Sequence, residues 1–538
     1  FFYIVFYKPD QTSGYKLYSP YMDGPEKLVT TDPGSRASSL NVLQRQLGDE
    51  VARTVLSLLP DEPVDLQTAR ASLQSDVMLS AIKTLPDQPI NKDRLNQRRQ
   101  ILESVTHRVL LGNEFLDVLT VPLQDPDGTV NLHYALRLRR PEDFAIAQAK
   151  GDRYYYAIEV TTRVLTPDHK PIFTQTDSLS RYLSDSEFDR MKNRAFAYEG
   201  ILPLPPGKYD LEFTLTNKVK QTAFRAQRQV AVPAPPAAGM FMTEPVAFSA
   251  VEPIGRLQQG QVPFAVAGVR FQPEVGPHAD LVAGQDLQVF YQLWQPPSDP
   301  QDQAGKKLVV EYGYGRPGMA GDSKTLREDV SRDQFDRSGS LLTGKKIPVS
   351  TLPVGNYRLA ITVTDPEANR KIFGSLAFRI SRQGAVPTWY VYDPHLADSV
   401  LKGVADYHRA LCYRAAGDNA NAEHWLKLAL QKDPHNPQFT SALVGVYFDR
   451  HAYPAIADLY ARGSVDATND EVTVLRTAES LDRGGQTRKA VALLESALAV
   501  NTQSGPLNLA LANLYKRSGD LRKAEESERK AKVLMASP

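Results

Sequence analysis

The tightest constraint in this 538-residue sequence is a spacing near its C-terminal end. Gly417, Gly485 and Gly519 fall on a grid of 34 residues whose remaining slot holds His451. Self-similarity at such a period means one supersecondary unit repeated, each unable to bury its apolar face without a neighbour. Further columns keep the register. Ala422, Ile456, Ala490 and Ala524 stand five residues after each mark, and Ala429, Gly463, Ala497 and Ala531 seven further on, small groups where paired helices must approach closely. Ahead of the marks stand Ala410, Val444, Ala478 and Ala512, and nearer to them Tyr413, Tyr447, Leu481 and Tyr515, which supply larger packing groups. Counting back gives units at 403–436, 437–470, 471–504 and 505–538, and stacked helix pairs are expected to wind into a superhelix with a concave groove. The second unit departs most. With Pro454 in the first turn of its second helix and His451 in place of the turn glycine, a tilted pair or a distorted turn is expected there.

The period and its columns resemble the tetratricopeptide (TPR) family over residues 403–538. That resemblance implies a concave wall built from first-helix positions of each unit: Tyr407, Leu411 and Arg414, then Phe448, then Leu475, Glu479 and Asp482, then Leu509, Asn513 and Lys516. It also implies where a clamp for a C-terminal carboxylate would sit. Tyr407 and Leu411 occupy the places where that clamp needs Lys and Asn, so none is expected. The Lys, Arg and Glu of 516–532 read as a solvated final helix.

Upstream, residues 113–384 read as strands. Leu132, Tyr134, Leu136 and Leu138 alternate with other residues, as do Tyr154, Tyr156, Ile158 and Val160, and Tyr209, Leu211, Phe213 and Leu215. A second set holds Leu287, Val289, Tyr291 and Leu293, then Leu308, Val310 and Tyr312, then Tyr357, Leu359, Ile361 and Val363. Period two means half-buried antiparallel strands. An internal echo divides the sets into two: Leu204-Pro205-Pro206-Gly207-Lys208-Tyr209 returns as Leu352-Pro353-Val354-Gly355-Asn356-Tyr357, and both run into alternating strands. This turn resembles those of immunoglobulin-like modules, in which the tyrosine hydroxyl ties the connection to the backbone. The Pro/Ala-rich run 232–239 lies between the halves as a stiff linker would.

Residues 39–112 switch to a helical period, with Leu66, Ala69, Leu73, Val77 and Ala81 on one face. Ahead of them, Phe2–Tyr7 and Tyr15–Tyr21 read as a hairpin. The chain starts on Phe in mid-strand, so an upstream part of a truncated domain is expected to be missing. The order of these parts, with the phrase Leu66-Gln67-Thr68-Ala69-Arg70-Ala71-Ser72-Leu73-Gln74-Ser75, resembles exported bacterial proteins named for a GWxTD motif, which itself is absent here. That resemblance implies an exported, multidomain, non-catalytic protein.

Chemistry-bearing motifs are defeated by context. Gly313-Tyr314-Gly315-Arg316-Pro317-Gly318 has dinucleotide spacing, but Pro317 and the glycines beyond it point to a loop where a helix must start. Gly339-Ser340-Leu341-Leu342-Thr343-Gly344-Lys345 is followed by Lys346 where a phosphate loop needs a hydroxyl, and a loop is expected there too. No Asp-x-Asp-x-Asp-Gly loop joins the acidic residues Asp322, Glu328, Asp329, Asp333 and Asp336. The single cysteine, Cys412, excludes an internal disulfide and reads as a small packing group. Lys plus Arg number 63 against 62 Asp plus Glu, so no global field draws in nucleic acid, and no apolar run reaches the ~20 residues of a membrane span. Trp389-Tyr390-Val391-Tyr392 reads as an interdomain staple, with a sugar or peptide platform as the alternative.

The expected fold is multidomain α+β: a β-hairpin (1–38), a helical segment (39–112), two immunoglobulin-like antiparallel β-sandwiches (113–235 and 236–384), a linker (385–402) and a four-unit TPR α-solenoid (403–538). The expected function is a non-enzymatic scaffold or adaptor, periplasmic or extracellular, that docks a protein partner or a second copy through the solenoid groove and needs no cofactor, metal or nucleic acid. The alternative is a carbohydrate-binding protein or hydrolase with its site on the sandwich loops or in the missing upstream domain.

Overall fold

The computed structural model describes residues 4–6, 16–18, 116–149, 153–220, 222–254, 262–318, 323–383, 386–396 and 402–536. The chain falls into two units, 1–106 and 107–538. In the first, Ile4–Phe6 pairs antiparallel with Lys16–Tyr18, with Ile4 opposite Tyr18. The helical segment expected over 39–112 lies outside the described residues.

The second unit is mixed α+β. Its first sheet runs Leu116–Gln124, Val130–Leu138, Ala195–Leu202 and then Thr388–Tyr392. The facing sheet is centred on Arg153–Leu165, with Pro171–Ser184 on one side and Gly207–Asn217, then Thr222–Val232, on the other. Their inner faces share one apolar core around Tyr134, Tyr156, Phe196, Tyr198 and Phe213. The fit is close enough to need glycine: Gly200 lies directly opposite Tyr134, and a Cβ there would sit 2.4 Å from its ring.

A second pair of sheets follows. Leu287–Trp294 is flanked by Ser340–Ile347 on one side and by Val246–Pro253 on the other, and the facing sheet orders Arg370–Ser381, Gly355–Asp365, Lys307–Gly315 and Lys324–Ser331. Tyr291, Tyr312, Leu359 and Phe378 lie in their common core. The echoed turns are equivalent in detail. Tyr209 Oη donates to Pro205 O at 2.9 Å and Tyr357 Oη to Pro353 O at 2.7 Å. The expected loop at 339–345 is instead mostly the strand Ser340–Ile347, held by eight-residue pairing to Leu287–Trp294. Gly313 and Gly315 likewise lie in a strand, and Gly318 takes a positive φ in the turn after it.

The run 232–239 does not hold the two halves apart. Val121, Leu123 and Ala135, on the outer face of the first sheet, form a further core with Phe248, Phe264, Phe271 and Phe290. Gln124 N–H donates to Gln292 Oε1 at 2.8 Å while Gln292 Nε2 donates back to Gln124 O at 2.9 Å, and buried Arg270 pairs with buried Glu199 across the same seam. Two covered faces explain why Val130–Leu138 is buried almost throughout rather than at alternate residues.

The stretch expected as a linker contains a strand. Thr388–Tyr392 returns from the second half to the first and pairs in parallel with Ala195–Leu202, Trp389 opposite Phe196. The reason is apolar area. Trp389 sets its edge or face at 76–90° to the rings of Phe144, Tyr156 and Phe196, with centroids 5.2–5.7 Å apart.

Apart from α1 (Asp185–Met191), which Ser184 and Glu187 start with a capping box, the described helices are consecutive: α2 (Val404–Ala415), α3 (Asn419–Lys432), α4 (Pro437–Asp449), α5 (Tyr453–Ala461), α6 (Glu471–Arg483), α7 (Thr487–Val500), α8 (Gly505–Ser518) and α9 (Leu521–Ala536). They form a solenoid of helix pairs. All four marks of the 34-residue grid take left-handed backbone, with φ of 80° at Gly417, 57° at His451, 72° at Gly485 and 84° at Gly519. After each, an N–H reaches the carbonyl five residues back: Asp418 to Tyr413, Ala452 to Tyr447, Gln486 to Leu481 and Asp520 to Tyr515. That bond closes a helix end by the Schellman pattern. The second unit's turn is therefore not distorted, and Pro454 sits in the first turn of α5, where its missing N–H costs nothing. Its irregularity lies at the other end. Gly463 is exposed and takes φ 73° beyond a nine-residue α5, so this member of the small-residue column ends a helix rather than packing one.

Candidate interaction groove

The first helix of each pair sets the face predicted to bind. Helices α2, α4, α6 and α8 are capped or opened by local signals: Asn436, Asp470 and Ser504 accept N–H bonds from Gln438, Thr473 and Leu507 at the starts of α4, α6 and α8. The face they make is not uniform.

Its beginning is already covered. Leu411 packs on the core of the first sheet pair, next to buried Cys412, whose thiol burial pushes up to about 12. Arg409, one turn earlier, is buried and donates to Val130 O at 3.1 Å and to Asn131 Oδ1 at 2.7 Å. His408 stacks on Phe173 at 4.2 Å. Tyr407 lies against Phe439, with centroids 5.0 Å apart, and Arg414 binds Asp449 at 2.7 Å. Phe448 carries the Arg476 guanidinium over its ring at 5.3 Å. These predicted groove residues are thus engaged within the chain.

The later units are open. Leu475, Glu479, Asp482 and Asn513 line one cavity of about 370 Å³ between α6 and α8, with Ala510 and Leu514 in its wall. Its charges are set in pairs: Arg483 Nη2 lies 2.7 Å from Glu479 Oε1, and Arg517 bonds Asp482, which also accepts from Thr487 at 2.8 Å. The carboxylate of Glu479 holds the Arg483 guanidinium above its usual pKa. Leu509 is 40% exposed and Lys516 pairs with Glu528, so both lie on the same helix without lining that cavity.

Arg483 and Arg517 were absent from the sequence-derived set. The signal for Arg517 is a spacing: Arg414 to Asp449 and Asp482 to Arg517 are opposite charges each 35 residues apart, one period plus one, which tie successive first helices together, whereas Arg483 pairs with Glu479 within its own helix. No group of three or more His, Cys, Asp or Glu suited to a metal occurs among the described residues, and no described helix is long and apolar enough to cross a membrane.

No family model matches the chain, and no curated protein does. Solved structures it is similar to include MamA of MSR-1, at 20% identity over 25% of this chain and 77% of that one with a TM-score of 0.23. Another is MamA 41-end from Desulfovibrio magneticus RS-1, at 16% identity over 27% of this chain and 81% of that one with a TM-score of 0.22.

Proposed function

We propose that this protein is a non-enzymatic scaffold in which two immunoglobulin-like β-sandwiches, at 113–235 and 236–384, carry a TPR solenoid of four units at 403–538 that docks a protein partner or a second copy. The observation that carries this reading is the open cavity between α6 and α8, floored by Leu475, Ala510 and Leu514 and rimmed by ion pairs. Apolar anchors in such a groove supply affinity, and rim charges tune choice and rate. Helix α2 is spent on the protein's own sheets, and Tyr407, Arg414 and Phe448 on neighbouring helices, so docking falls on the third and fourth units. Tandem immunoglobulin-like modules in a bacterial chain suit a compartment outside the cytoplasm, periplasmic or extracellular.

The test is crosslinking of the full chain in its native cells, with oligomeric state read in parallel by light scattering. Crosslinks, or a self-association constant, that concentrate on α6 and α8 and weaken roughly tenfold in Leu475→Arg, as expected when a hot-spot anchor is lost, support the scaffold. Crosslinks indifferent to that substitution refute it. A glycan array bound through residues 116–383 would instead favour the rival carbohydrate-binding reading.

A further inference from the structure

Leu116–Gln124 ends its sheet: it pairs with Val130–Leu138 on one side and with no described strand on the other. In an antiparallel pair, residues of such an edge strand turn their N–H and C=O alternately to the partner and to the open side. The far end of the strand shows which do which. Asp125 N–H donates across the pair to Thr129 O at 2.8 Å, whereas Gln124 spends both its backbone groups outside the pair, on the Gln292 side-chain amide. The register runs unbroken back to Leu116, so Val118 and Thr120 turn N–H and C=O the same way as Gln124. Pro122, which shares that orientation, has no N–H to leave unpaired. Among the described residues, nothing bonds the outward groups of Val118 and Thr120.

A cleft of about 510 Å³ borders this strand and is lined by every residue from Leu116 to Val121. Successive side chains of a strand point to opposite faces, so an unbroken run of lining residues means that the cleft follows the edge itself. On the side of the first sheet pair it is apolar at Leu116, Val118 and Ala226. The second pair contributes Glu244 and Glu274. Arg137 acts on Glu274, while Glu244 is exposed and has no ion pair among the described residues. We propose that a basic, extended segment of a partner protein adds here as a further strand, exchanging backbone hydrogen bonds with Val118 and Thr120. Its alternate residues are apolar toward Val118 and Ala226 and lysine or arginine toward Glu244, and Arg228 on the first pair's side keeps cations out of the apolar row. Strand addition draws affinity from main-chain bonds and specificity from what the alternate side chains meet. The protein already shows the chemistry at one end: the Gln292 amide accepts from Gln124 N–H at 2.8 Å and donates to Gln124 O at 2.9 Å, as a partner's peptide group would at Thr120. Leu116 to Val121 give ~20 Å of edge, the reach of a hexapeptide. The edge is separate from the α6–α8 groove, and the proposal stands whether or not that groove docks a partner.

Fluorescence polarisation of the full chain with the labelled peptide Val-Lys-Val-Lys-Val-Lys tests this. The peptide should bind, and Val-Glu-Val-Glu-Val-Glu should not. Methylating the backbone nitrogens of every second residue keeps the side chains and removes donors, so binding should be lost in one frame of methylation and kept in the other. Thr120→Pro deletes a donor that the sheet itself does not use, and proline is tolerated at such an edge position. That variant should fold, as circular dichroism would show, and bind roughly tenfold more weakly or worse. Glu244→Lys should reverse the preference between the two peptides. No binding of the lysine peptide, equal binding of both methylated frames, equal binding of the glutamate peptide, or full affinity in a folded Thr120→Pro protein would overturn the proposal. Self-association of the chain that Thr120→Pro abolishes would overturn it too, by giving the edge to a second copy.

Discussion

Replacing Trp389 with alanine should unfasten the strand that closes the first sheet. Three rings, Phe144, Tyr156 and Phe196, meet the indole nearly edge-on at 5.2–5.7 Å. Deleting a fully buried Trp costs ~3–5 kcal/mol, with each favourable aromatic pair contributing ~0.5–1.5 of it. Trp389 is only partly buried, so about 2–4 kcal/mol is the expected loss. Thr388–Tyr392 joins the sheet along a single edge, through parallel pairing with Ala195–Leu202, and the other ties that would remain are Tyr390 Oη to Pro273 O, Arg137 to Thr388 and the packing of Val391. The loss should appear in urea unfolding followed by far-UV circular dichroism, which does not depend on the deleted fluorophore. Limited proteolysis under native conditions should gain a cut between residues 383 and 402. A midpoint within about 0.5 kcal/mol of wild type, the spread of surface substitutions, with an unchanged digest would refute the idea that these rings hold the strand.

Other perturbations test separate elements. Gly200→Ala should destabilise by about 1–3 kcal/mol or more, as overpacking does, because the new methyl would meet the Tyr134 ring at 2.4 Å; unchanged denaturation would show that the ring does not lie there. His451→Gly should raise stability by up to ~1 kcal/mol, since glycine takes φ 57° without a Cβ penalty. A loss instead would mean that the 3.0 Å contact of His451 Nδ1 with Tyr453 Oη outweighs the backbone strain. For pH, His133 is fully buried, accepts from Phe264 N–H at 2.8 Å, and is pushed by burial down to about 3. The unfolded chain binds a proton near pH 6.5 that the folded chain refuses until about pH 3, so this group's contribution to stability is lost as pH falls through that window. His133→Gln should flatten the acid limb of a stability–pH profile; an unchanged slope would refute the assignment.

Local chemistry made much of the fold legible. The 34-residue grid marked three turn glycines, each of which takes the left-handed backbone that such a helix end favours, while His451, where a distorted turn was expected, adopts the same backbone. The two Leu-Pro-x-Gly-x-Tyr turns forecast two tyrosine ties, since hydroxyl and acceptor lie four residues apart. The groove was legible by halves. The TPR resemblance implied Leu475, Glu479, Asp482 and Asn513, which line one cavity, but not Leu411 being consumed by the sheets, because an apolar side chain on a helix does not state what it will face.

What the sequence by itself determined, then, was periodicity: which residues alternate, which recur every turn, and where each helix must stop. Those patterns follow from backbone geometry over a few residues. Only the tertiary structure decided that Thr388–Tyr392 crosses back to Ala195–Leu202, that outer sheet faces weld the two halves together, and that Arg409 reaches Asn131 from 278 positions away. Such contacts join segments with no local signature. They are selected by the apolar area and polar satisfaction available once every element has formed.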